Sequence, residues 1–408
     1  MTVVTIRELG AKGEGVAVVD GAPLHVPFTL HGETANVALD PKRSMLIAIL
    51  EPSPDRIAPV CRHFEACGGC ALQHMAQGAY RAWKVGLVEV ALRRQGIDAP
   101  VEQGWFCEPA SRRRAAFTAK ITDGVLRFGF NRAMSHEVID IAECPVLTPG
   151  LFAARAKLAP MLNAILPRDI AVVATVIETR EGLDVSMIGK FSLDEHRRRI
   201  AAEATLKAGL ARLSVNREIV LEPRRPTVDF GGAVVCPPPG AFLQAVPEAE
   251  AFMAALVTGH LAKAKRVADL YSGCGTFALR LARTATVHAV EDDAGALAAL
   301  DRGWRDSGGT LKQVTTERRD LARRPLTAAE LKPFAGVVFD PPRTGAEAQA
   351  RELAKSAVRS IAAVSCNPAT LARDLAILVA GGYRVVSVTP VDQFLWTPHV
   401  EAVALLER

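Results

Sequence analysis

No apolar run in this 408-residue chain approaches the roughly 18 residues that a membrane-spanning helix requires, so insertion into a bilayer is not expected. The opening residues, MTVVTIREL, hold no basic start followed by an apolar stretch and no small-residue cleavage site. Export is therefore not expected, and the cytoplasm is the expected compartment. There is no long internal repeat and no low-complexity tract, which removes solenoid and biased-composition architectures. Charge of one sign is also lacking: 49 Lys and Arg stand against 44 Asp and Glu, a net charge of +5. That balance permits a polyanionic partner without requiring one. Eight cysteines in a chain without an export signal read as metal-binding or catalytic rather than as disulfide-forming.

A chain of this length exceeds one ordinary core and, at about 150 residues per domain, suggests two or three domains. Residues 1–53 alternate short β-branched runs with Gly and Pro turns, as in TVVTIREL, GAKGEGVAVVDG and ETANVAL, a pattern that predicts a small all-β barrel. EPSPDRIAP reads as a linker into the first cysteine. Residues 72–104 carry a helical pattern in WKVGLVEVALRRQG, ending on Gly96. Residues 105–235 look α+β, with strands such as AAFTAKIT and AVVATVIET. After CPPPG (236–240), apolar strands and amphipathic helices alternate. This predicts a doubly wound, mainly parallel sheet with ligands at the carboxyl ends of its strands. The expected division is thus a barrel over 1–53, a central α+β domain over 54–71 and 105–240, and a catalytic α/β domain over 72–104 and 241–408. Arginine clusters at 112–114, 127, 132, 197–199 and 318–319 are candidates for phosphate contact, with a solvated surface as the plain alternative.

In the α/β half, Asp269-Leu270-Tyr271-Ser272-Gly273-Cys274-Gly275-Thr276-Phe277 places two glycines between a strand and a helix, where backbone can approach an adenosyl ligand. Glu291 closes the next strand, where an acid can accept from two ribose hydroxyls. A tight turn in any α/β protein, or a nicotinamide-binding domain, would look similar. The next strand, GVVFD, decides against the latter, because it ends in Asp340-Pro341-Pro342-Arg343. The diproline fixes the strand end and aims Asp340 into the cleft, a feature hydride transfer does not need. The strand after that ends in Ser365-Cys366-Asn367-Pro368. A soft thiolate at this edge suits attack on C6 of a uracil, which makes C5 nucleophilic enough to take a methyl group from a sulfonium. The C5 proton must then leave, which calls for a general base. Glu401, in His399-Val400-Glu401, is the candidate by strand order. The plain alternatives are a buried strand-end cysteine and a surface acid at a strand start.

Cys61, Cys67 and Cys70 follow a C-x5-C-x2-C spacing, and Cys144 precedes Pro145. Four thiolates can hold zinc or a cubane iron-sulfur cluster, and spacing alone does not choose. The C-x3-C-x2-C of radical enzymes is not present. Cys107 and Cys236 read as core or surface residues, and Cys274 as the small side chain its loop needs.

Taken together, DLYSGCGTF, FDPPRTG, SCNPATLARD and HVEAVALL resemble the RNA 5-methyluridine methyltransferase family, and the resemblance covers nearly the whole chain. It implies a multidomain protein: an OB-like TRAM barrel that binds RNA, a central α+β iron-sulfur domain anchored near GFNRAMSHEVIDIAECPVL, and a C-terminal α/β class I, Rossmann-like methyltransferase domain. It implies S-adenosylmethionine contacts from Gln244, Tyr271, Thr276, Glu291, Asp320 and Asp340, with Cys366 as nucleophile and Glu401 as base. It also implies a [4Fe-4S] cluster on Cys61, Cys67, Cys70 and Cys144, with zinc the lesser candidate. Members with this cysteine pattern resemble the enzymes of 23S ribosomal RNA, whereas the bacterial transfer-RNA branch typically lacks both barrel and cluster. Two positions depart from the family: Gln244 is followed by Ala-Val-Pro where Asn usually stands two residues on, and Thr276 replaces a common Asn. The expected activity is methylation of uridine C5 in RNA, with 23S rRNA as partner, by a monomer without membrane contact. The alternatives are methylation of uridine 54 in tRNA, cytosine-5 methylation, and a non-catalytic RNA-binding or chaperone role.

Overall fold

The computed structural model describes residues 1–39 and 44–408. At the N-terminus, Thr2–Thr5, Thr34–Ala38 and Met45–Glu51 form one antiparallel sheet, and Glu8–Leu9, Gly15–Val19 and Ala22–Val26 form another. Alternate residues of both, including Val4, Ala17, Val26, Ala35 and Val37, meet in one small core. The barrel expected from the turn spacing is here a pair of sheets sharing that core. Among the described residues no ladder joins them into a ring. Backbone bonds from Ile6 N to Glu33 O and from Arg7 N to Val16 O, both 2.8 Å, lead the chain from one sheet into the other.

The middle of the chain builds a seven-stranded sheet running from Val138–Ile139 through Val125–Asn131, Arg114–Thr122, Val172–Thr179, Gly182–Ile188 and Arg212–Val215 to Glu218–Leu221. Helices Pro149–Ile165 and Glu195–Lys207 pack on it. Each begins with a side-chain cap, Thr148 on Leu151 N and Asp194 on Arg197 N.

The third part is an eight-stranded sheet. Its five parallel strands lie in the order Val314–Arg318, Thr286–Glu291, Arg266–Leu270, Gly336–Phe339 and Ser360–Ser365. Glu401–Glu407 then enters antiparallel to the last of these, followed by Arg384–Asp392 and the two-residue edge strand Trp105–Phe106. Both faces of the inner strands are covered, so these are mainly apolar and alternate residues serve different cores. Val267, Val287, Val338 and Val403 belong to one, and Ala268, Leu270, Val337 and Phe339 to the other. This is the Rossmann-like half expected from the alternating pattern.

The helical pattern read over 72–104 is a helix at Gln77–Arg94, stopped by Gly96 with φ +67°. Its buried stripe is Tyr80, Lys84, Val88 and Leu92, one residue per turn, and it packs on the helix Pro368–Ala380 and the strand Arg384–Asp392. Lys84 is the unexpected member. Its ammonium donates to Asp392 Oδ1 at 2.9 Å, to Phe394 O at 3.4 Å and to the carbonyl of His399, while Tyr80 Oη donates to Asp392 Oδ2 at 2.5 Å. Both charged side chains are fully buried. Removing one partner leaves the other charged and desolvated. Lys84→Met should therefore cost about 3–5 kcal/mol, and pairing it with Asp392→Leu should recover part of that loss. Urea denaturation of the two variants measures both.

Candidate active site

The carboxyl edge of the eight-stranded sheet gathers the candidate residues. Strand Arg266–Leu270 ends in a loop where Tyr271 takes φ +61°, Gly273 φ +52° and Gly275 φ +99°. A non-glycine residue held in the left-handed region stores strain that the surroundings must impose. At Gly275 a Cβ would lie 2.9 Å from Leu300 Cγ, so no side chain fits. Glu291 braces this loop: its Oε2 accepts from Gly273 N at 3.0 Å, and its Oε1 from Asp292 N at 2.7 Å and Asp293 N at 3.0 Å.

Two strands along, Asp340 follows Phe339. Ser365 pairs with Ala402 in the antiparallel ladder, which sets Cys366 across from Glu401. Asn367 caps the helix Pro368–Ala380, its Oδ1 accepting from Ala369 N at 3.1 Å, with Pro368 in the first turn where no N–H is needed. Asn367 Nδ2 and Thr370 Oγ1 also donate to the carbonyl of Arg343, tying the Cys366 turn to the diproline turn. Arg343 Nη2 donates to His399 Nε2 at 3.2 Å. Burial and the nearby Arg343 cation hold the imidazole below its usual pKa, so it is neutral and can accept.

A chain of buried amides joins the two acids. Gln244 Nε2 donates to Asp340 Oδ2 at 3.1 Å, and Gln393 Nε2 donates to both Gln244 Oε1 (2.5 Å) and Glu401 Oε1 (3.1 Å). Ala245 N donates to Gln393 Oε1 at 2.8 Å. Glu401 is 2% exposed, and its Oε2 has no hydrogen-bond partner among the described residues. Burial and the neighbouring Asp340 charge push Glu401 up to about 8, and burial pushes Asp340 up to about 7 against the Gln244 hydrogen bond. Burial, with the Glu401 and Asp340 charges, raises the Cys366 thiol to about 11, and Arg343 opposes the rise. The resting site thus retains protons on groups whose ionised forms are reactive.

Comparison with known proteins fits this geometry. A family profile described as tRNA (Uracil-5-)-methyltransferase matches residues 240–408. An uncharacterized RNA methyltransferase of Brucella suis is 54% identical over 99% of this chain and 97% of its own. The 23S rRNA (uracil(1939)-C(5))-methyltransferase of Halomonas elongata is 34% identical over 99% of this chain and 89% of its own. The chain belongs to the RNA (uracil-5-)-methyltransferase family. In fold, this methyltransferase is similar over 99% of both chains to the tRNA (uracil-54, C5)-methyltransferase of Pyrococcus abyssi, with a TM-score of 0.76 and 23% identity.

Not every expected residue joins the methyltransferase's central network. Thr276 is half-buried in the loop, and its backbone carbonyl accepts from Arg280 Nη1 at 2.7 Å. Asp320 caps its own turn, accepting from Ala322 N at 3.0 Å and Arg323 N at 3.3 Å. Cys61, Cys67, Cys70 and Cys144 line one cavity of about 510 Å³, on a wall of which stand Arg343 and His399. Among the described residues no three His, Cys, Asp or Glu side chains are grouped closely enough to hold a metal ion. The expected four-thiol centre is therefore a shared cavity lining and not a formed coordination set. Burial, reinforced by neighbouring charges, raises the Cys61, Cys67 and Cys70 thiols, Cys70 to about 12.

Sequence reasoning missed two groups. Gln393 lies one residue past a strand end, with no motif to mark it. Asp269 is wholly buried near the end of the strand Arg266–Leu270, and burial raises it well above the usual carboxylate range against the pull of the Ala278 backbone N–H. Its position as the first residue of DLYSGCG was the available signal.

Proposed function

We propose that the chain transfers a methyl group from S-adenosylmethionine to C5 of a uridine in 23S rRNA, with Cys366 as nucleophile and Glu401 as base. The placement of Cys366 across the ladder from Glu401, beside the Gln244–Asp340 arm, carries this reading. The Cys366 thiolate adds to C6, forming a C–S bond and pushing the electron pair into an enolate through O4. C5 takes the methyl group as the donor's sulfonium bond breaks, leaving S-adenosylhomocysteine. Glu401 Oε2 then removes the C5 proton, C5=C6 re-forms and the thiolate departs. Tyr271, Thr276, Glu291, Asp320, Asp340 and Gln244 are the proposed donor-binding residues. The target base must leave its stack to reach Cys366, at a cost of a few kcal/mol.

Support for a ribosomal target comes from the 34% identity to the Halomonas elongata enzyme across nearly the whole chain. Mapping 5-methyluridine in ribosomal and transfer RNA from a deletion strain tests it, and loss confined to tRNA would redirect the assignment to uridine 54. The four thiols suit a sulfur-bound centre chemically, because all four line one cavity, although they are not drawn together into a coordination set. We read it as a [4Fe-4S] cluster on Cys61, Cys67, Cys70 and Cys144, with zinc as the competing occupant. Its role would be to hold the Cys61–Cys70 loop to the Cys144 segment, since methyl transfer moves no net electrons. Stoichiometric iron and sulfide in anaerobically purified protein are expected, and stoichiometric zinc alone would reverse the choice.

RNA bearing 5-fluorouridine should trap a denaturation-resistant protein–RNA adduct, because fluorine cannot leave as a proton does. Cys366→Ala should form none and show no turnover. Both Cys366 and Glu401 act deprotonated, and both are raised, so the single-turnover rate should climb with pH through the region near 8. A rate falling between pH 7 and 9 would contradict the base assignment.

A further inference from the structure

Glu401 has two carboxylate oxygens in different situations. Oε1 accepts the Gln393 amide, and Oε2 is buried without a partner among the described residues. Gln393 is itself 1% exposed. Its orientation is not free, because its Oε1 is taken by the backbone N–H of Ala245, leaving only the amine end to face Glu401 and Gln244. Gln244 is then forced to present its own amine end to Asp340. One backbone N–H thus sets the direction of two side-chain amides and, through them, of two carboxylates. An apolar side chain at 393 would fill the space but leave Ala245 N, Gln244 Oε1 and Glu401 Oε1 without their partner, freeing the carboxylate to rotate.

We propose that Gln393 is a positioning residue for proton removal: it holds Glu401 by Oε1 so that Oε2 faces the reacting C5, and it registers the base to the Gln244–Asp340 arm. This rests on the reading of Glu401 as the base. Gln393 touches no reacting atom; its loss also loosens Gln244, which weakens donor binding, but at saturating methyl donor the effect falls on the step that Glu401 performs. The groups that set the charge around Glu401 are Asp340, Cys366 and Arg343. The Gln393 hydrogen bond lowers the Glu401 pKa, so its loss moves the base further upward.

The experiment compares Gln393→Leu and Gln393→Met with Glu401→Gln on two RNAs. With 5-fluorouridine RNA, adduct formation requires addition and methyl transfer but no proton removal. With RNA tritiated at uridine C5, tritium release reports the base. With S-adenosylmethionine saturating, each Gln393 variant should form the fluorinated adduct within about twofold of the wild-type rate, a weaker donor affinity being the expected trace of the loosened Gln244. Tritium release should fall by about 10–100-fold, part of the 10²–10⁴-fold typical of a general base. A methylated covalent intermediate should accumulate on unmodified RNA, as in Glu401→Gln, and the rising limb of the pH profile should shift upward. Adding Gln393→Leu to Glu401→Gln should lower release no further. Equal loss of adduct formation and tritium release in both Gln393 variants, or unchanged release in either, overturns the proposal. Absence of any adduct with the wild-type protein would instead sink the underlying reading of the reaction.

Discussion

The buried ion pair between Lys84 and Asp392 is the constraint on which the site depends. Two charges taken out of water cost several kcal/mol each unless their remaining hydrogen-bonding capacity is met, and here it is met by the segment that carries the site. Lys84 holds the carbonyls of Phe394 and His399, Asp392 Oδ1 accepts from Phe394 N at 3.0 Å, and Tyr80 Oη accepts from Trp396 N at 2.8 Å. Residues 392–400 are thereby wound around an ammonium supplied from 300 residues upstream in the chain. Trp396, at φ +58°, in turn receives the amides of Ala71 and Leu72, next to Cys70. The cysteine loop and the sheet edge are fastened to the same short stretch of backbone.

The electrostatics of the cleft follow from that placement. Two carboxyl groups and a thiol share one sheet edge: burial raises all three, the Asp340 charge adds to Glu401, both carboxylates add to Cys366, and Arg343 opposes the rise at Glu401 and Cys366. Ordinary carboxylates are fully ionised near pH 7 and too weak to remove a carbon-bound proton. Acting as the proposed base, a Glu401 raised to about 8 would be matched to neutral pH, which is where general-base efficiency is greatest. A positively charged sulfonium entering beside these groups would favour their ionised forms, so binding of the methyl donor and readiness of the nucleophile act in the same direction.

Much of the edge was legible in the sequence because its residues sit in short runs whose backbone needs are local. The diproline after Asp340, the Asn-Pro cap after Cys366 and the glycine turn after Asp269 each mark a strand end. Alternating apolar strands were enough to indicate a mainly parallel sheet. Lys84 and Gln393 were not legible, since a lysine in an amphipathic helix is ordinarily solvated and a glutamine past a strand end carries no pattern. Their meaning lies in partners 308 and 149 residues away. The cysteines show the opposite limit. Spacing grouped the thiols that do share a cavity, but the separation between sulfurs is a tertiary quantity that spacing does not encode. The N-terminal strands were readable one by one, while their division into two sheets depended on pairing.

The arginine clusters show why net charge is a poor guide to an RNA surface here. Arg113 pairs with Glu250 at 2.8 Å and donates its backbone N–H to Ala245 O, while Glu250 also takes Arg280. Arg112 donates to the carbonyl of Arg114, whose guanidinium lies over Phe242 at 5.8 Å. Arg319 is held between Glu317 and Glu330, and Arg198 meets Glu218. The run at 112–114 is thus joinery between the central sheet and the segment that bears Gln244, and much of the formal positive charge is consumed inside the protein. Phosphate attraction must then come from cations outside such pairs. Arg343 is one: it is exposed, no carboxylate lies within ion-pair distance among the described residues, and it lines the cavity of about 630 Å³ that holds Cys366. Trp83 and Arg94 of the helix Gln77–Arg94 and residues Glu8–Ala11 line the same cavity, so Cys366 opens onto a groove built jointly by the N-terminal sheets and the eight-stranded half. A strand of RNA reaching Cys366 would therefore meet the N-terminal sheets, the helix and the sheet edge together, and the buried charge pair fixes the last two of these to each other.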